Sequence, residues 1–308
     1  MPKTATDTLL SGATMGTTWQ VRLDDAPHEP ETIRAALQSA VAEVDDQMST
    51  WKADSALMRF NDAPCDQWHS LPDHLLRVLE TGLAISAMTG NAFEMNLGDA
   101  TRAWGFGPAQ IDLHAIRAAS NLPPIAAAQA LRLDRAAGRA LKSNPLALDL
   151  CGIAKGYGVD RLAETLRTHG IARALCSIDG EVRALGTRRD GTPWSVGIDT
   201  PDSPLRGNHS VVMLEEASLA TSGDYRHFLE IRGKRLSHTM NPATRAPLLD
   251  APASVTVMAQ SCMHADAMAT ALVVLGMEQG ERFAREQGIA ALFIGRNGET
   301  RQTGQFAM

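Results

Sequence analysis

The chain has 308 residues, of which 44% are apolar and 21% are charged, which is typical of a globular protein and excludes a disordered chain, a collagen or a coiled coil. Its 29 lysine and arginine residues against 35 aspartate and glutamate residues give a net charge of −6, so we expect no general affinity for nucleic acid or anionic membranes. At about 150 residues per domain, the length allows two units or one large domain.

The N-terminal part of the chain predicts a strand and two long helices. Residues 17–23 (TTWQVRL) alternate polar and apolar side chains, as a half-buried strand does, and the residues before them fit a tail or an edge strand. Apolar residues at helical spacing predict helices over residues 31–48 and 74–88. For residues 105–142, which include a Pro-Pro pair and an alanine-rich stretch, we expect a loose helical segment and a seam between two halves of the protein.

The C-terminal part predicts short strands between helices. Helices are expected over residues 155–169, 264–275 and 277–287, each followed by a glycine. A hairpin turn is expected at Arg232-Gly233. Short runs typical of strands occupy residues 174–178, 181–186, 194–198, 210–214, 228–231, 235–238, 254–258, 290–294 and 299–302. Because these strands do not alternate with helices, the sequence predicts an α+β fold with antiparallel sheets.

Cysteine spacing and the N-terminal residues exclude several classes of protein. Cys65, Cys151, Cys176 and Cys262 form no CxxC pair, so we expect neither a zinc ribbon nor a thioredoxin-type site, but buried apolar thiols. The first residues contain no apolar run of signal-peptide length, and no run approaches the roughly 20 residues that span a bilayer. We therefore expect no membrane span and, for the sequence as written, a cytoplasmic protein.

The densest polar segment, Asp149–Tyr157 (DLCGIAKGY), lies just before a predicted helix. Backbone N–H groups at a helix N-terminus favour phosphate, and Lys155 would add a positive charge. Gly152 and Gly156 would allow a ligand to approach the backbone closely. A plain helix start with a solvated lysine is the alternative for this segment alone. The common nucleotide-binding patterns GxGxxG and GxxxxGK[ST] are absent.

Two further sites carry polar groups of chemical interest. Asp266 and Thr270 lie one turn apart on one face of an otherwise apolar helix, and both offer hard oxygen atoms suited to Mg²⁺. Alternatively, the Thr270 hydroxyl donates back to a helix carbonyl and no metal is involved. His238 follows a predicted hairpin strand and could orient a phosphate or transfer a proton, although a histidine there is more often structural.

Taken together and in this order, the motifs resemble the ApbE family of FAD:protein FMN transferases, from Ala13 to about Gly276. Each motif is weak alone, whereas their joint order and spacing are specific. The resemblance rests on the segments Thr14–Thr17, Met48–Trp51 with Ser55 and Asn61, Ala92–Glu94, Trp104–Gly107, Asp149–Tyr157, Asp179–Glu181, Thr221–Tyr225, His238–Pro242 and Ala265–Thr270.

The resemblance implies a two-part α+β arrangement similar to the tunnelling fold, with antiparallel-rich sheets and packed helices. Residues 1–308 would form a single ApbE-like domain with FAD in a cleft between its halves. The implied activity is Mg²⁺-dependent cleavage of FAD, transfer of FMN to a Thr or Ser hydroxyl of a flavoprotein acceptor, and release of AMP. The alternatives are an FAD pyrophosphatase that releases FMN and AMP, and a flavin-binding protein without catalysis. Family members are usually periplasmic or lipid-anchored, which this N-terminus does not indicate.

The resemblance also implies roles for individual residues. For the metal it implies the Gly152 carbonyl, Asp266 and Thr270. His238 would assist proton transfer and Lys155 would stabilise charge on the phosphates. The residues that would bind FAD are Met15, Trp51, Ala92, Phe93, Glu94, Asp149, Lys155 and Met240.

The sequence departs from the family pattern at several of these positions. Lys155, Asp266 and Thr270 are unchanged, so we expect FAD and metal binding to survive. The lost glycines predict an altered loop shape, with an effect on transfer rate or acceptor choice. The departures are Trp51 for Tyr, Glu94 for Asp, Asn96 for Thr, Cys151 for Gly, Ser177 for Asn, Asp179 for Gly, Asn241 for Asp and Arg245 for Gly.

Overall fold

The computed structural model of the chain describes residues 7–25, 27–107, 110–121, 124–201, 207–224, 228–231 and 234–307. The helices are α1 (Pro30–Met48), α2 (Ala56–Asp62), α3 (Asp73–Met88), α4 (Gly98–Ala103), α5 (Leu113–Asn121), α6 (Ala127–Ala130), α7 (Ala154–Thr168) and α8 (Cys262–Glu286). The strands are β1 (Thr8–Thr14), β2 (Thr17–Leu23), β3 (Trp68–Ser70), β4 (Leu131–Asp134), β5 (Arg139–Lys142), β6 (Ala174–Ile178), β7 (Glu181–Leu185), β8 (Trp194–Asp199), β9 (Asn208–Leu214), β10 (Ser218–Gly223), β11 (Phe228–Ile231), β12 (Lys234–Ser237), β13 (Met240–Asn241), β14 (Ala246–Pro247), β15 (Ser254–Ala259), β16 (Ala290–Ile294) and β17 (Thr300–Thr303).

An eight-stranded sheet in the order β1-β2-β6-β7-β10-β15-β16-β17 organises the fold. Every neighbouring pair in it is antiparallel. Residues alternate between its two faces, so Ala220 and Val255 join the core under the helices while Leu219 and Leu292 join a smaller core on the other side. The chain is therefore an α+β protein, as its sequence predicts.

Helices cover one face of this sheet and a hairpin covers part of the other. Helices α1, α7 and α8 pack side by side, with α7 against β6 and β7 and α8 against β10 and β15. On the opposite face, the β8–β9 hairpin buries Trp194 and Leu214 against the sheet. The three layers bury most of the large apolar side chains in the described residues.

A second, smaller sheet in the order β3-β5-β4 lies in the part of the chain that precedes α7. The sequence prediction of a loose helical segment over residues 105–142 was wrong for its second half, because β4 and β5 form a regular antiparallel hairpin there. Alternation is hard to detect in strands of only four residues, and each of these two strands contains two charged residues.

Other sequence expectations have different outcomes in the structure. The predicted break at Gly276 appears as a residue with φ 77° inside α8, a backbone conformation that glycine adopts readily. All four cysteines are free thiols, and Cys176 and Cys262 are buried as expected. The expectation of a buried thiol was wrong for Cys151, which is exposed in the loop before α7, and Cys65 is only partly buried. The expected turn at Arg232-Gly233 lies outside the described residues, as does Tyr225. In the described ranges, every helix is too short or too polar to cross a bilayer.

Asp160 joins α7 to the start of α8. Its carboxylate accepts hydrogen bonds from the Cys262 and Met263 amides, both at 3.0 Å, and from the Ser261 hydroxyl at 2.9 Å. It also pairs with the Arg183 guanidinium from β7. Amides in the first turn of a helix have no partner within that helix, so this buried side chain satisfies them from outside.

We expect Asp160→Ala to destabilise the protein by about 3–5 kcal/mol, because the change leaves Arg183 and the two amides without their buried acceptor. Urea unfolding followed by circular dichroism measures the loss. Asp160→Asn, which keeps an acceptor oxygen, should lose less. Glu80→Gln, at an exposed ion pair with Arg135, serves as the control and should change stability by less than about 1 kcal/mol. Equal stability of Asp160→Ala and wild type would contradict the role of Asp160.

Candidate active site

A large open cleft is lined by all twelve residues for which the sequence predicts a catalytic, FAD-binding or metal-binding role. Its volume is about 1180 Å³, larger than the roughly 300–1,000 Å³ of a typical small-molecule pocket. The elements that meet there are the β1–β2 turn, the α7 N-terminus, the middle of α8, the β6–β7 turn and the segment around β13. The selected residues in its lining are Met15, Trp51, Ala92, Phe93, Glu94, Asp149, Gly152, Lys155, His238, Met240, Asp266 and Thr270.

Met15 enters the cleft from a two-residue hairpin turn. Thr14 pairs with Thr17, and Met15 and Gly16 between them both have positive φ, 45° and 71°. This is the geometry of a tight hairpin turn, which a methionine adopts only at a conformational cost. The Met15 side chain extends toward α7, where a Cβ added to Gly158 would lie 3.1 Å from its methyl group.

The loop before α7 is held by the side chain of Asn61. The Asn61 amide donates to the Leu148 carbonyl and accepts from the Leu148 amide, both at 2.9 Å. The Asp149 amide donates to the Met95 carbonyl at 2.8 Å, and the Asp149 carboxylate accepts from the Cys151 amide at the same distance. Asn61 is therefore a structural residue that fixes the loop, and Asp149 shapes the turn from inside.

Oxygen atoms from α8 lie directly against this loop. The Asp266 carboxylate is buried and accepts a hydrogen bond from the Gly156 amide at 2.9 Å. One turn later, the Thr270 hydroxyl lies 3.1 Å from the Ser222 hydroxyl, and a Cβ added to Gly152 would lie 2.9 Å from it. The partners of the Asp266 carboxylate are thus a backbone amide and the nearby charge of Lys155. Burial nevertheless raises the pKa of Asp266 above its usual value.

Lys155 is bound between two carboxylates. Its ammonium lies 3.1 Å from Glu181 Oε1 and 3.2 Å from Asp179 Oδ2. Burial disfavours the charged ammonium, but Glu181, Asp266 and Asp179 outweigh that effect and raise the pKa of Lys155. Burial also raises the pKa of Glu181, and the Lys155 charge opposes this shift. The lysine is thus a paired cation rather than a solvated one.

Residues 92–94 line the cleft next to the loop before α7, where a Cβ added to Gly152 would lie 3.4 Å from the Phe93 ring. Ala92 and Phe93 are buried, and Glu94 Oε1 accepts from the amides of Asn96 at 2.7 Å and Ala127 at 2.9 Å. Burial raises the pKa of Glu94, and these hydrogen bonds oppose the rise. Trp51, by contrast, is 65% exposed at the cleft, so much of its indole is available to a ligand.

His238 and Met240 approach from the segment between β12 and β14. The His238 ring makes an edge contact with Phe106, with centroids 6.5 Å apart, and Met240 is buried in β13. Asn241 Oδ1 accepts from the amides of Ala243 and Thr244, so it forms the turn that follows.

Two replaced glycines keep the backbone that glycine favours. Asp179 has φ 53° and Arg245 has φ 54°. The altered loop shape expected from the sequence is therefore not seen in the φ angles of these two residues. Arg245 is buried, pairs with Asp99 and donates to the Asn96 carbonyl at 3.2 Å. The new side chain thus connects the segment around β13 with residues 96–99.

Sequence reasoning gave no role to several residues that the structure brings into the cleft. These are Asp179 and Glu181 beside Lys155, and Ser222 beside Thr270. All three fall within motifs that carry the family resemblance, which is the signal that could have identified them. Their partners, however, are between 24 and 48 positions away in the chain, beyond any local pattern.

Comparisons with known proteins show which family the chain is similar to. The ApbE family model matches residues 15–293. The chain is 34% identical over 304 residues to the FAD:protein FMN transferase of Vibrio cholerae, covering 95% of this chain and 88% of that protein. It is 36% identical over 306 residues to the FAD:protein FMN transferase of Klebsiella pneumoniae, covering 96% and 86%.

Solved structures give the same result. The flavin transferase ApbE from Vibrio cholerae superposes with a TM-score of 0.87 at 32% identity, covering 98% of this chain and 99% of that one. The apo form of the Pseudomonas stutzeri flavinyl transferase ApbE superposes with a TM-score of 0.84 at 33% identity, covering 97% and 95%.

We expect Gly156→Ala to destabilise the protein, although alanine in a helix normally gains about 1 kcal/mol over glycine. The added Cβ would meet the Cys262 carbonyl oxygen and lie 2.7 Å from the Asp266 Cβ, so overpacking should cost roughly 1–3 kcal/mol net. Thermal unfolding measures the change. Gly180→Ala is the matched control, since a Cβ there meets no atom within 4 Å. A stabilised Gly156→Ala protein would refute this packing argument.

Proposed function

The chain belongs to the ApbE family, and we propose that it is a Mg²⁺-dependent FAD:protein FMN transferase that attaches FMN to a Thr or Ser hydroxyl of a flavoprotein acceptor and releases AMP. It is an enzyme of the transferase class. FAD would bind in the cleft, which we take as the space between two halves of a single domain. The observation that carries the proposal is the presence, in one cleft, of an aromatic face, a paired lysine and hard oxygen atoms.

Recognition of the flavin would use the apolar side of the cleft. The exposed face of Trp51 can stack on a flat ring, an interaction worth about 1–3 kcal/mol per base. Met15, held in its strained turn, and Met240 would contact the ligand from two other directions. Ala92, Phe93 and Glu94 would border the isoalloxazine, and the fixed backbone around Glu94 would keep that border rigid.

The metal site would use Gly152, Asp266 and Thr270. Among the described residues, no three His, Cys, Asp or Glu side chains are grouped to hold a metal, and the proposed set contains only one carboxylate. A set with a single carboxylate fits Mg²⁺, which keeps several waters and binds through one or two carboxylates plus substrate phosphate. Two observations support the assignment. The Asp266 carboxylate is buried one helical turn from the Thr270 hydroxyl, and Gly152 lies so close to Thr270 that a side chain there would not fit. When bound, Mg²⁺ would offset negative charge on the pyrophosphate oxygens.

Lys155 and His238 would act on the reacting groups. Asp149 would shape the loop that binds FAD, and Lys155 would hold the pyrophosphate at the α7 N-terminus, where its charge would offset negative charge that develops on the departing AMP phosphate. The acceptor hydroxyl oxygen would form a bond to the phosphorus of the FMN half as the bond from that phosphorus to the AMP oxygen breaks. The hydroxyl proton would pass to His238, which lines the cleft.

The experiment that tests the function uses the purified protein, FAD and Mg²⁺, with and without an acceptor. The acceptor is the apo form of a recombinant flavoprotein domain that natively carries phosphoester-linked FMN on a threonine. AMP release only with the acceptor, together with a flavin-fluorescent acceptor band on a denaturing gel, supports transfer. AMP and FMN without acceptor would instead identify an FAD pyrophosphatase, and bound but unchanged FAD would identify a binding protein.

For the metal, we expect Asp266→Asn to abolish Mg²⁺-dependent AMP release while keeping an acceptor for the Gly156 amide. Thr270→Ala should weaken AMP release by less, because a neutral hydroxyl contributes less charge to the ion. EDTA should inhibit the wild type, and added Mg²⁺ should restore it.

Glu278→Ala, an exposed carboxylate on the same helix, is the control and should retain wild-type activity. Thermal unfolding checks that each variant is folded. Full activity of Asp266→Asn, or activity insensitive to EDTA, would show that Asp266 does not bind a metal.

A further inference from the structure

Under the proposed function, Lys155 is the cation that would contact the pyrophosphate, but its ammonium already forms ion pairs with two carboxylates. The ammonium contacts Glu181 Oε1 at 3.1 Å and Asp179 Oδ2 at 3.2 Å. A phosphate that approaches Lys155 must therefore share it with two carboxylates or displace one of them. Like charges brought together in this way lower affinity unless another cation offsets them.

The two carboxylates differ in how they are held. Glu181 belongs to β7 and is 2% exposed, and its Oε2 atom has no hydrogen-bond partner among the described residues. Asp179 lies in the turn between β6 and β7 with φ 53°, where the family pattern has glycine. Asparagine and glycine both tolerate this conformation, so the Asp179 charge can be removed without disturbing the turn.

A third carboxylate is within electrostatic range. Asp179 and Asp266 each disfavour the ionised form of Glu181, and Asp179 does the same for Asp266. An incoming pyrophosphate would add negative charge to this group, whereas a divalent cation at Asp266 would offset part of it.

We propose that Asp179 makes the binding of a pyrophosphate ligand depend on the divalent cation. Without the cation, Asp179 competes with the ligand for Lys155. With the cation bound at Asp266, the ligand phosphates gain a second positive partner and the competition matters less. This inference rests on the proposed function, in which Lys155 meets the pyrophosphate of FAD.

The test measures the affinity of the full-length protein for FAD by flavin fluorescence, in EDTA and in Mg²⁺, for the wild type, Asp179→Asn and Asp179→Gly. In EDTA, we expect both variants to bind FAD about tenfold more tightly than the wild type, the size expected when one close like-charge contact is removed. In Mg²⁺ the difference should fall to less than about threefold, so the variants depend less on the cation. Riboflavin, which lacks phosphate, should bind wild type and variants equally.

Unchanged or weaker FAD binding by Asp179→Asn in EDTA would overturn the inference. So would an equal gain for riboflavin, because the effect would then arise in the flavin pocket. If wild-type protein failed to bind FAD even with Mg²⁺, the proposed function would fall and the inference with it. Normal FAD binding in Mg²⁺ without the Asp179 effect would overturn the inference alone.

Discussion

The close approach of α7 and α8 at Gly156 is the constraint on which the site depends. The backbone of α8 around Cys262 lies where a side chain of residue 156 would be, and this proximity lets the Gly156 amide reach the Asp266 carboxylate at 2.9 Å. Four residues further along α7, Asp160 binds the first amides of α8. Because both contacts join the same two helices, the N-terminus of α7, with Lys155, has a fixed position relative to the oxygen atoms of α8.

The contacts between α7, α8 and β7 bury several charged side chains, and burial of charge is unfavourable for folding by itself. Taking an ion out of water costs several kcal/mol, and attraction between buried partners repays that cost only when their geometry is good. Asp160 meets this condition with Arg183 and three hydrogen bonds, so its burial contributes to structure. Glu181 and Asp266 meet it less well, since burial still raises the pKa of each despite Lys155. Incomplete compensation of this kind is typical of functional sites, where a ligand or an ion supplies the remaining charge.

The parts of the fold that the sequence predicted are those with a strong period or a clear terminator. Helix α1 and the break at Gly276 are examples, because each depends on residues close together in the chain. The β4–β5 hairpin was missed because its strands are short and rich in charged residues. For the site, the family resemblance selected twelve residues that all line one cleft, but the composition and spacing of the residues alone left each motif ambiguous. The pairing of Lys155 with Asp179 and Glu181 depends on how β6 and β7 pack against α7, which no local pattern encodes.

Two departures from the family pattern, Asp179 and Arg245, place charged side chains at positions with the positive φ that glycine adopts readily. At Arg245 the left-handed backbone costs a non-glycine residue roughly 1–3 kcal/mol, and a buried guanidinium adds a desolvation cost. The bonds to Asp99 and to the Asn96 carbonyl offset these costs. They also connect the segment that carries His238 and Met240 to the segment that follows Glu94, in addition to the contact between His238 and Phe106. A non-glycine residue persists in this conformation because its surroundings hold it, so the bonds to Asp99 and Asn96 stabilise both the Arg245 backbone and the junction between these two segments.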